Sequence, residues 1–249
     1  MTGPHSTSKR KNLRPVAHFT IPTWFILSVT ILIPFLYGIY ISFQNINLAS
    51  FVPPTFVGLD NYQAALLAPE TWSTLRITLV VTFFGLIIQI PLGIILALAL
   101  HQNLKGTKVF RSILITPMLL TPVAVGLTYR FMFDTDLGVI NWGLSLLGID
   151  KVNWLGSQTS ALFSVIIVDS WQSVPFVMLL VLAALTAISP TLYEAARVDG
   201  ANPRQIFRRL TLPLITPTLL VITMIKIMDF LKLFDTLFIL TRGGPGNST

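Results

Sequence analysis

Residues 189–213 read Ser189-Pro190-Thr191-Leu192-Tyr193-Glu194-Ala195-Ala196-Arg197-Val198-Asp199-Gly200-Ala201-Asn202-Pro203-Arg204-Gln205-Ile206-Phe207-Arg208-Arg209-Leu210-Thr211-Leu212-Pro213. Ser189 before Pro190 is an N-cap followed by a first-turn proline, so a helix is predicted to start there. Gly200 suits the left-handed residue that ends it. Asn202 before Pro203 repeats the start signal, and a second short helix is expected to about Leu210, with Pro213 marking the start of the next apolar stretch. In that second helix Ile206, Phe207 and Leu210 share one face and Arg204 and Arg208 another, the pattern of an element lying along a membrane surface and presenting a knob to the aqueous side. The residue-level alternative is a solvated basic loop with one interfacial helix.

On either side of this stretch the chain is apolar. Of its 249 residues 53% are hydrophobic and only 11% charged, against about 25% charged in ordinary soluble domains. A soluble globule of this size has no way to bury so much apolar side chain, which excludes the soluble-enzyme and disordered classes. Apolar blocks at 19–43 and 77–100, both uncharged, at 112–133 with Arg130, at 161–188 with Asp169 and at 214–240, compromised by Lys226, Asp229, Lys232 and Asp235, are each long enough to cross a hydrocarbon core of about 30 Å. The predicted fold is therefore all-α and polytopic, with a tail at 1–18, a transmembrane domain over 19–249 and the loop 189–213 between the fourth and fifth spans. Prolines 22, 34, 91, 117, 122, 175 and 217 fall in or near these blocks, where neighbouring groups re-satisfy the backbone.

The charges orient the spans. Lys9, Arg10, Lys11 and Arg14 precede the first; Lys105, Lys108 and Arg111 separate the second and third; Arg197, Arg204, Arg208 and Arg209 separate the fourth and fifth. Most of the 17 Lys and Arg thus lie on one side, which the positive-inside rule makes cytoplasmic, with the N-terminus. The net charge of +7 is a topology signal, and no nucleic acid is expected as a partner. Segments 44–75 and 134–160 are external loops carrying Trp72, Trp142 and Trp154. The first apolar block is too long for a signal-peptide core and has no small-residue cleavage site after it, so an uncleaved span is expected.

The loop and its flanks resemble a known family. Glu194-Ala195-Ala196, Gly200 four residues later, and Leu210-x-Leu212-Pro213 are similar to the EAA loop of binding-protein-dependent ABC importer permeases, departing only in Leu210 where Ile is usual. Trp171, Pro175-Phe176, Leu192-Tyr193, Asp199-Gly200-Ala201, Phe234-Asp235 and Leu240-Thr241-x-Gly243-Gly244-Pro245 resemble the carbohydrate-uptake (maltose-type) branch. The resemblance implies a permease subunit of an ATP-driven sugar importer in the bacterial inner membrane. It implies as partners a second permease subunit, a cytoplasmic ATP-binding subunit dimer, an extracytoplasmic substrate-binding protein, a carbohydrate substrate and membrane lipids. It further implies that the loop docks on the ATPase, with Glu194, Ala195, Ala196, Asp199, Gly200, Leu212 and Pro213 as its marked positions, and that a sixth span follows the five visible here. Permeases for glycerol-phosphate-type solutes are similar, and a proton-coupled secondary transporter is the rival among transport mechanisms.

No enzymatic chemistry is legible. A Gly-x-x-x-x-Gly-Lys phosphate loop is absent, since Gly243-Gly244-Pro245-Gly246 lacks the lysine. His5, His18 and His101 are scattered, no carboxylates cluster and there are 0 cysteines, so no catalytic residue, metal or cofactor is expected. Asn247-Ser248-Thr249 matches a glycosylation triplet without meaning in a bacterial membrane. Polar residues within spans are costly and mark function. Asp169, Trp171, Gln172 and Ser173 make a polar patch in the fourth span; with Gln89 in the second they are candidate pathway lining, or else a polar link between helices such as Asp169 to Arg130. Gln89, Thr116, Thr121 and Thr128 fit either a path or helix–helix bonds. Lys226, Asp229, Lys232 and Asp235 recur every third residue; on a straight helix they spread around the axis, so they are expected to neutralise one another near the outer end of the span rather than to line one channel.

Overall fold

The structure is a computed structural model and describes residues 14–46, 53–102 and 105–244. The basic cluster Lys9-Arg10-Lys11, Pro245 and the Asn247-Ser248-Thr249 triplet lie outside those residues. The chain divides after Trp72 into two compact units.

In the first unit, α1 (Arg14–Leu27) passes through a π turn (Ser28–Leu32) into α2 (Ile33–Ser42). Over Thr20–Ser42 the helix is long and apolar enough to span a membrane. The π turn has a cause in the sequence. Pro34 cannot donate to the residue four before it and its ring crowds that carbonyl; the Ile33 N–H reaches back to Ser28 O instead, inserting the extra residue that relieves the clash. Beyond α2, the two-residue strands β1 (Gln44–Asn45) and β2 (Thr55–Phe56) pair antiparallel. Helix α3 (Asp60–Leu67) then folds back, with Asn61 Nδ2 donating to the carbonyls of Ser42 and Gln44 at 2.9 Å each.

Helix α4 (Pro69–His101) is 33 residues long, about 50 Å at 1.5 Å per residue. It begins eight residues before the apolar block at 77–100, because hydropathy marks the hydrocarbon slab and not the end of a helix; Glu70 and Arg76 occupy the protruding turns. The third block is not one straight helix. Helix α5 (Thr107–Ile115), a 3-10 turn (Thr116–Leu119) and α6 (Pro122–Met132) form a pair bent by 96°. Pro122 forces the residue before it out of the helical region, and Thr121 restarts the helix by accepting the Ala124 N–H on its hydroxyl. The segment 134–160 contains α7 (Val139–Leu146). Asn141, 3% exposed, organises that loop, donating to the carbonyls of Thr135 and Val152 and accepting from Val152 N and Trp154 Nε1. Trp154 accordingly stacks inward on Phe133. The Asp134 carboxylate accepts the Asp136 and Leu137 N–H groups, which hold its pKa below the ordinary value.

Helix α8 (Gln158–Thr186), capped by Ser157 and Ser160, is the central element. Its Val177, Met178, Val181, Leu182 and Leu185 form the main core with Ala97 of α4 and with Ile215 and Ile222 of the last long helix. A second cluster, Val125, Phe133, Val165, Val168 and Leu240, lies toward the external end. After α8 come α9 (Pro190–Val198) and α10 (Pro203–Ile206), then a π turn (Phe207–Thr211), α11 (Leu212–Leu231) and α12 (Asp235–Thr241). Here the sequence expectation needs correcting twice. The second short helix is continuous with the fifth span, as Pro203–Leu231 forms one spanning helix. Pro213 does not interrupt it, because the Leu212 N–H reaches back to Phe207 O, the same device that accommodates Pro34. At the other end the span stops at Leu231, and 232–234 break it before α12. The described residues thus hold four candidate spanning helices, or five when the bent pair is taken as one span.

Small residues set the closest helix approach. Gly85, Gly93 and Ala97, with Gln89 between them, recur at four-residue steps on α4 and all are buried, and small residues at that spacing let membrane helices pack closely. A Cβ on Gly93 would lie 2.4 Å from Val177 Cγ1 and 3.1 Å from the Met178 backbone N. Since backbone cannot give way, Gly93→Ala is expected to cost about 2–3 kcal/mol by overpacking, read as a lowered unfolding temperature and a lower yield of inserted protein. Gly143→Ala, where nothing lies within 4 Å, is expected to change neither; equal behaviour of the two variants would contradict this packing.

Candidate translocation cavity and coupling elements

Two polar contacts one turn apart on α8 tie it to both long neighbours. Gln89 Nε2 of α4 donates to Asp169 Oδ2 at 2.7 Å. Lys226 Nζ of α11 donates to Ser173 Oγ at 3.0 Å and lies 3.4 Å from Asp229 Oδ2. Asp169 and Ser173 are four residues apart and so share a helix face. Gln89 is fully buried, Asp169 is 8% and Lys226 3% exposed, and Lys226 also stands 5.2 Å above the Phe230 ring. A buried charge survives only with such partners. Asp169 is therefore linked to Gln89 and not to Arg130, whose Nη1 instead donates to Ile239 O of α12 at 3.1 Å.

Beside this ladder lies a cavity of about 510 Å³. Asp169, Gln172 and Ser173 line it from α8, Met118 and Pro122 from the bend in the third span, and Phe176, Phe234 and Leu233 supply apolar wall. Lys226, Asp229, Lys232 and Asp235 all line it as well. That reverses the expectation from a straight helix: the break at 232–234 redirects the chain and returns Lys232 and Asp235 to the side that Lys226 and Asp229 face. Asp235, an acid in the first turn of α12, is the restart signal; without Gly or Pro at 232–234 the break itself left no mark in the sequence.

The other candidates separate. Gln172 is at the cavity but its Nε2 donates to Leu120 O at 2.8 Å, satisfying a carbonyl freed by the bend. Gln89 stands behind Asp169 and is a positioning residue. Trp171 points away, edge-on to Tyr129 at 5.4 Å, and lines an apolar groove with Ile88, Leu92, Leu120 and Pro175. Thr116 and Thr128 bond carbonyls of their own segments and Thr121 caps α6, so these hydroxyl bonds make no helix–helix link.

Between α8 and the Pro203–Leu231 helix, α9 ends as its sequence dictates. Gly200 takes φ 78°, the Ala201 N–H bonds Ala196 O and the Gly200 N–H bonds Arg197 O, closing the helix with a left-handed glycine. Asn202 and Gln205 then cap α10 reciprocally. Ser189 is at the N-cap position, but its hydroxyl pairs with Thr191 Oγ1 rather than with backbone. The Thr211 hydroxyl donates to Tyr193 OH at 3.4 Å, joining α9 to the π turn. Glu194, Ala195, Asp199 and Gly200 are exposed and Ala196 half-buried; Val198 is 87% exposed, an apolar side chain with no covering among the described residues. Leu212 and Pro213 lie apart from the knob, in the first turn of α11.

A bundle of spanning helices beside a charged cavity, with a capped helical knob at one end, is the architecture of a membrane permease. Residues 89–249 match the model of the family described as binding-protein-dependent transport system inner membrane component. A trehalose/maltose transport system permease protein of Thermococcus litoralis is 38% identical over 230 residues, covering 92% of this chain and 77% of that protein. The sulfoquinovosyl glycerol transport system permease protein of Agrobacterium fabrum is 32% identical over 228 residues, covering 92% and 74%. Among solved structures, a bacterial ABC transporter involved in the import of the acidic polysaccharide alginate superposes with a TM-score of 0.81 at 26% identity, covering 96% of this chain and 80% of that one. The chain belongs to the binding-protein-dependent transport system inner membrane component family. It is a multi-pass inner-membrane permease subunit of an ABC importer, a system that works with a second permease, ATPase subunits and a substrate-binding protein. ATP hydrolysis belongs to the separate ATPase subunit, and this chain is not an enzyme.

Proposed function

We propose that this subunit carries a carbohydrate, that the cavity around Asp169 is part of its path, and that α9 with Gly200 is the contact through which the ATPase drives it. The cavity carries the reading: carboxylates, a lysine pair, a serine hydroxyl and the Phe176 and Phe234 rings offer hydrogen bonds to hydroxyls and apolar faces to sugar rings. The named relatives point the same way, each being described with a saccharide or glycoside cargo. A glycerol-phosphate-type solute fits less well, because Asp169, Asp229 and Asp235 outnumber Lys226 and Lys232 at the wall and repel a dianion. Driven by closure of the ATPases, α9 moves as a rigid lever, and α8 and the Pro203–Leu231 helix, to which it is joined, tilt with it to alternate access.

Asp229 is exposed and its pair with Lys226 is screened by water, while Lys226 keeps its bond to Ser173 Oγ, so removing the carboxylate is expected to cost the fold only about 0–1 kcal/mol. Asp229→Ala is expected to lower maximal saccharide uptake about 10-fold, the worth of one charge-assisted hydrogen bond, while half-saturation, governed by the binding protein, stays put. Uptake by reconstituted transporter in vesicles measures both. An unaltered maximal rate would remove Asp229 from the path, and uptake of phosphate esters in preference to neutral saccharides would contradict the cargo assignment.

A further inference from the structure

A second cavity, of about 710 Å³, lies where four helix ends meet, at the end of the bundle whose basic loops the positive-inside rule assigns to the cytoplasm. Leu100 and His101 end α4, Gly106, Thr107, Lys108 and Arg111 begin α5, Leu182 and Thr186 end α8, and Pro190 begins α9. Nothing in the transport mechanism uses it. Lys108 and Arg111, three residues apart on α5, both face into it, and no acidic residue lines it. Among the described residues the ion pairs are Lys151–Asp136 and Lys226–Asp229, so neither Lys108 nor Arg111 has a carboxylate partner. The wall therefore presents two uncompensated positive charges above an apolar floor of Leu100 and Leu182.

We propose that this cavity binds the phosphate headgroup of an anionic phospholipid from the cytoplasmic leaflet. Charge complementarity selects the headgroup: basic pockets between helix ends on the cytoplasmic side attract anionic lipids. The surroundings select a lipid over a soluble anion. Val109, Phe110 and Ile113, on the same helix as the two basic residues, are each 63% exposed and offer acyl chains a continuous apolar surface beside the charged mouth. The guanidinium of Arg111 suits a phosphate geometrically and Lys108 adds a point charge. Because Pro190 is part of the wall, a bound headgroup braces the base of α9. The site does not depend on what the transporter carries, and its test leaves cargo out.

The assembled transporter, stripped of lipid, is titrated with phosphatidylglycerol or phosphatidylcholine and read by native mass spectrometry. Phosphatidylglycerol is expected to bind saturably and phosphatidylcholine not. Each basic residue is worth roughly 5-fold in binding, so Lys108→Gln with Arg111→Gln is expected to weaken phosphatidylglycerol at this site about 30-fold. Exchanging the charges as Lys108→Arg with Arg111→Lys is expected to keep the wild-type affinity. Equal binding of the two lipids by the wild type overturns the proposal without any variant. So does undiminished binding by the neutral variant, or an equal loss in the charge-keeping one. Competition by millimolar inorganic phosphate as effective as that by lipid would show a soluble-anion site and reject the lipid.

Discussion

Glu194→Lys is expected to abolish transport while leaving the membrane fold intact. Glu194 is exposed on α9, and no ion pair among the described residues includes it, so charge reversal removes nothing that holds this chain together. On the proposed reading the carboxylate meets the ATPase. Reversing a charge at a desolvated contact typically costs 2–5 kcal/mol, so uptake and co-purification of the ATPase should fall at least about 30-fold. Ala195 and Ala196 beside it admit close approach, and Gly200 shapes the turn at φ 78°, where a side chain is strained. A Glu194→Lys transporter that retains its ATPase and its uptake would exclude α9 as the lever.

The second large effect is expected at Lys226. Its ammonium is 3% exposed and lies within Coulombic reach of Asp169 as well as beside Asp229 and Ser173. Lys226→Met keeps the volume and removes the charge, leaving the buried Asp169 with the neutral partners Gln89 and Ser173 and no cation. Breaking a buried pair costs about 3–5 kcal/mol; the Asp229 side chain is 55% exposed and its share is screened by water, so about 2–3 kcal/mol is the expected loss of stability. Asp169→Asn keeps an acceptor for Gln89 and removes the orphaned charge. The double variant Asp169→Asn with Lys226→Met should therefore regain at least about 1 kcal/mol over the sum of the single losses. Thermal unfolding of the four proteins measures the cycle; strict additivity would mean that the two charges do not sense each other.

Much of this was legible in the sequence because the determinants are local. Long apolar blocks give spans. Ser189-Pro190, Gly200 and Asn202-Pro203 write α9 and the start of α10 residue by residue. Thr121-Pro122 carries the same start signal, and the bend of the third span is written there, yet the absence of charge around it reads as one uninterrupted span. Helix ends were missed for a related reason. Apolarity reports where hydrocarbon begins, whereas hydrogen bonding carries α4 back to Pro69 and the fifth span back to Pro203. The polar cavity was half visible. Asp169, Gln172 and Ser173 stand out as polar groups in an apolar helix, but the role of Lys232 and Asp235 depends on a break without Gly or Pro. Sequence spacing also cannot show that Trp171, next to Gln172, faces the other way.

One measurement addresses the coupling claim most directly. The chain contains 0 cysteines, so Ala195→Cys introduces its single thiol, on the exposed face of α9 beside Glu194. In the assembled transporter, a short bifunctional reagent carrying a thiol-reactive and a photoreactive group is expected to join that residue to the ATPase subunit in high yield. The same reagent on Asp136→Cys, in the external loop, is expected to give no such product. Crosslinking of Ala195→Cys to lipid or to the partner permease alone, with none to the ATPase, would contradict the account.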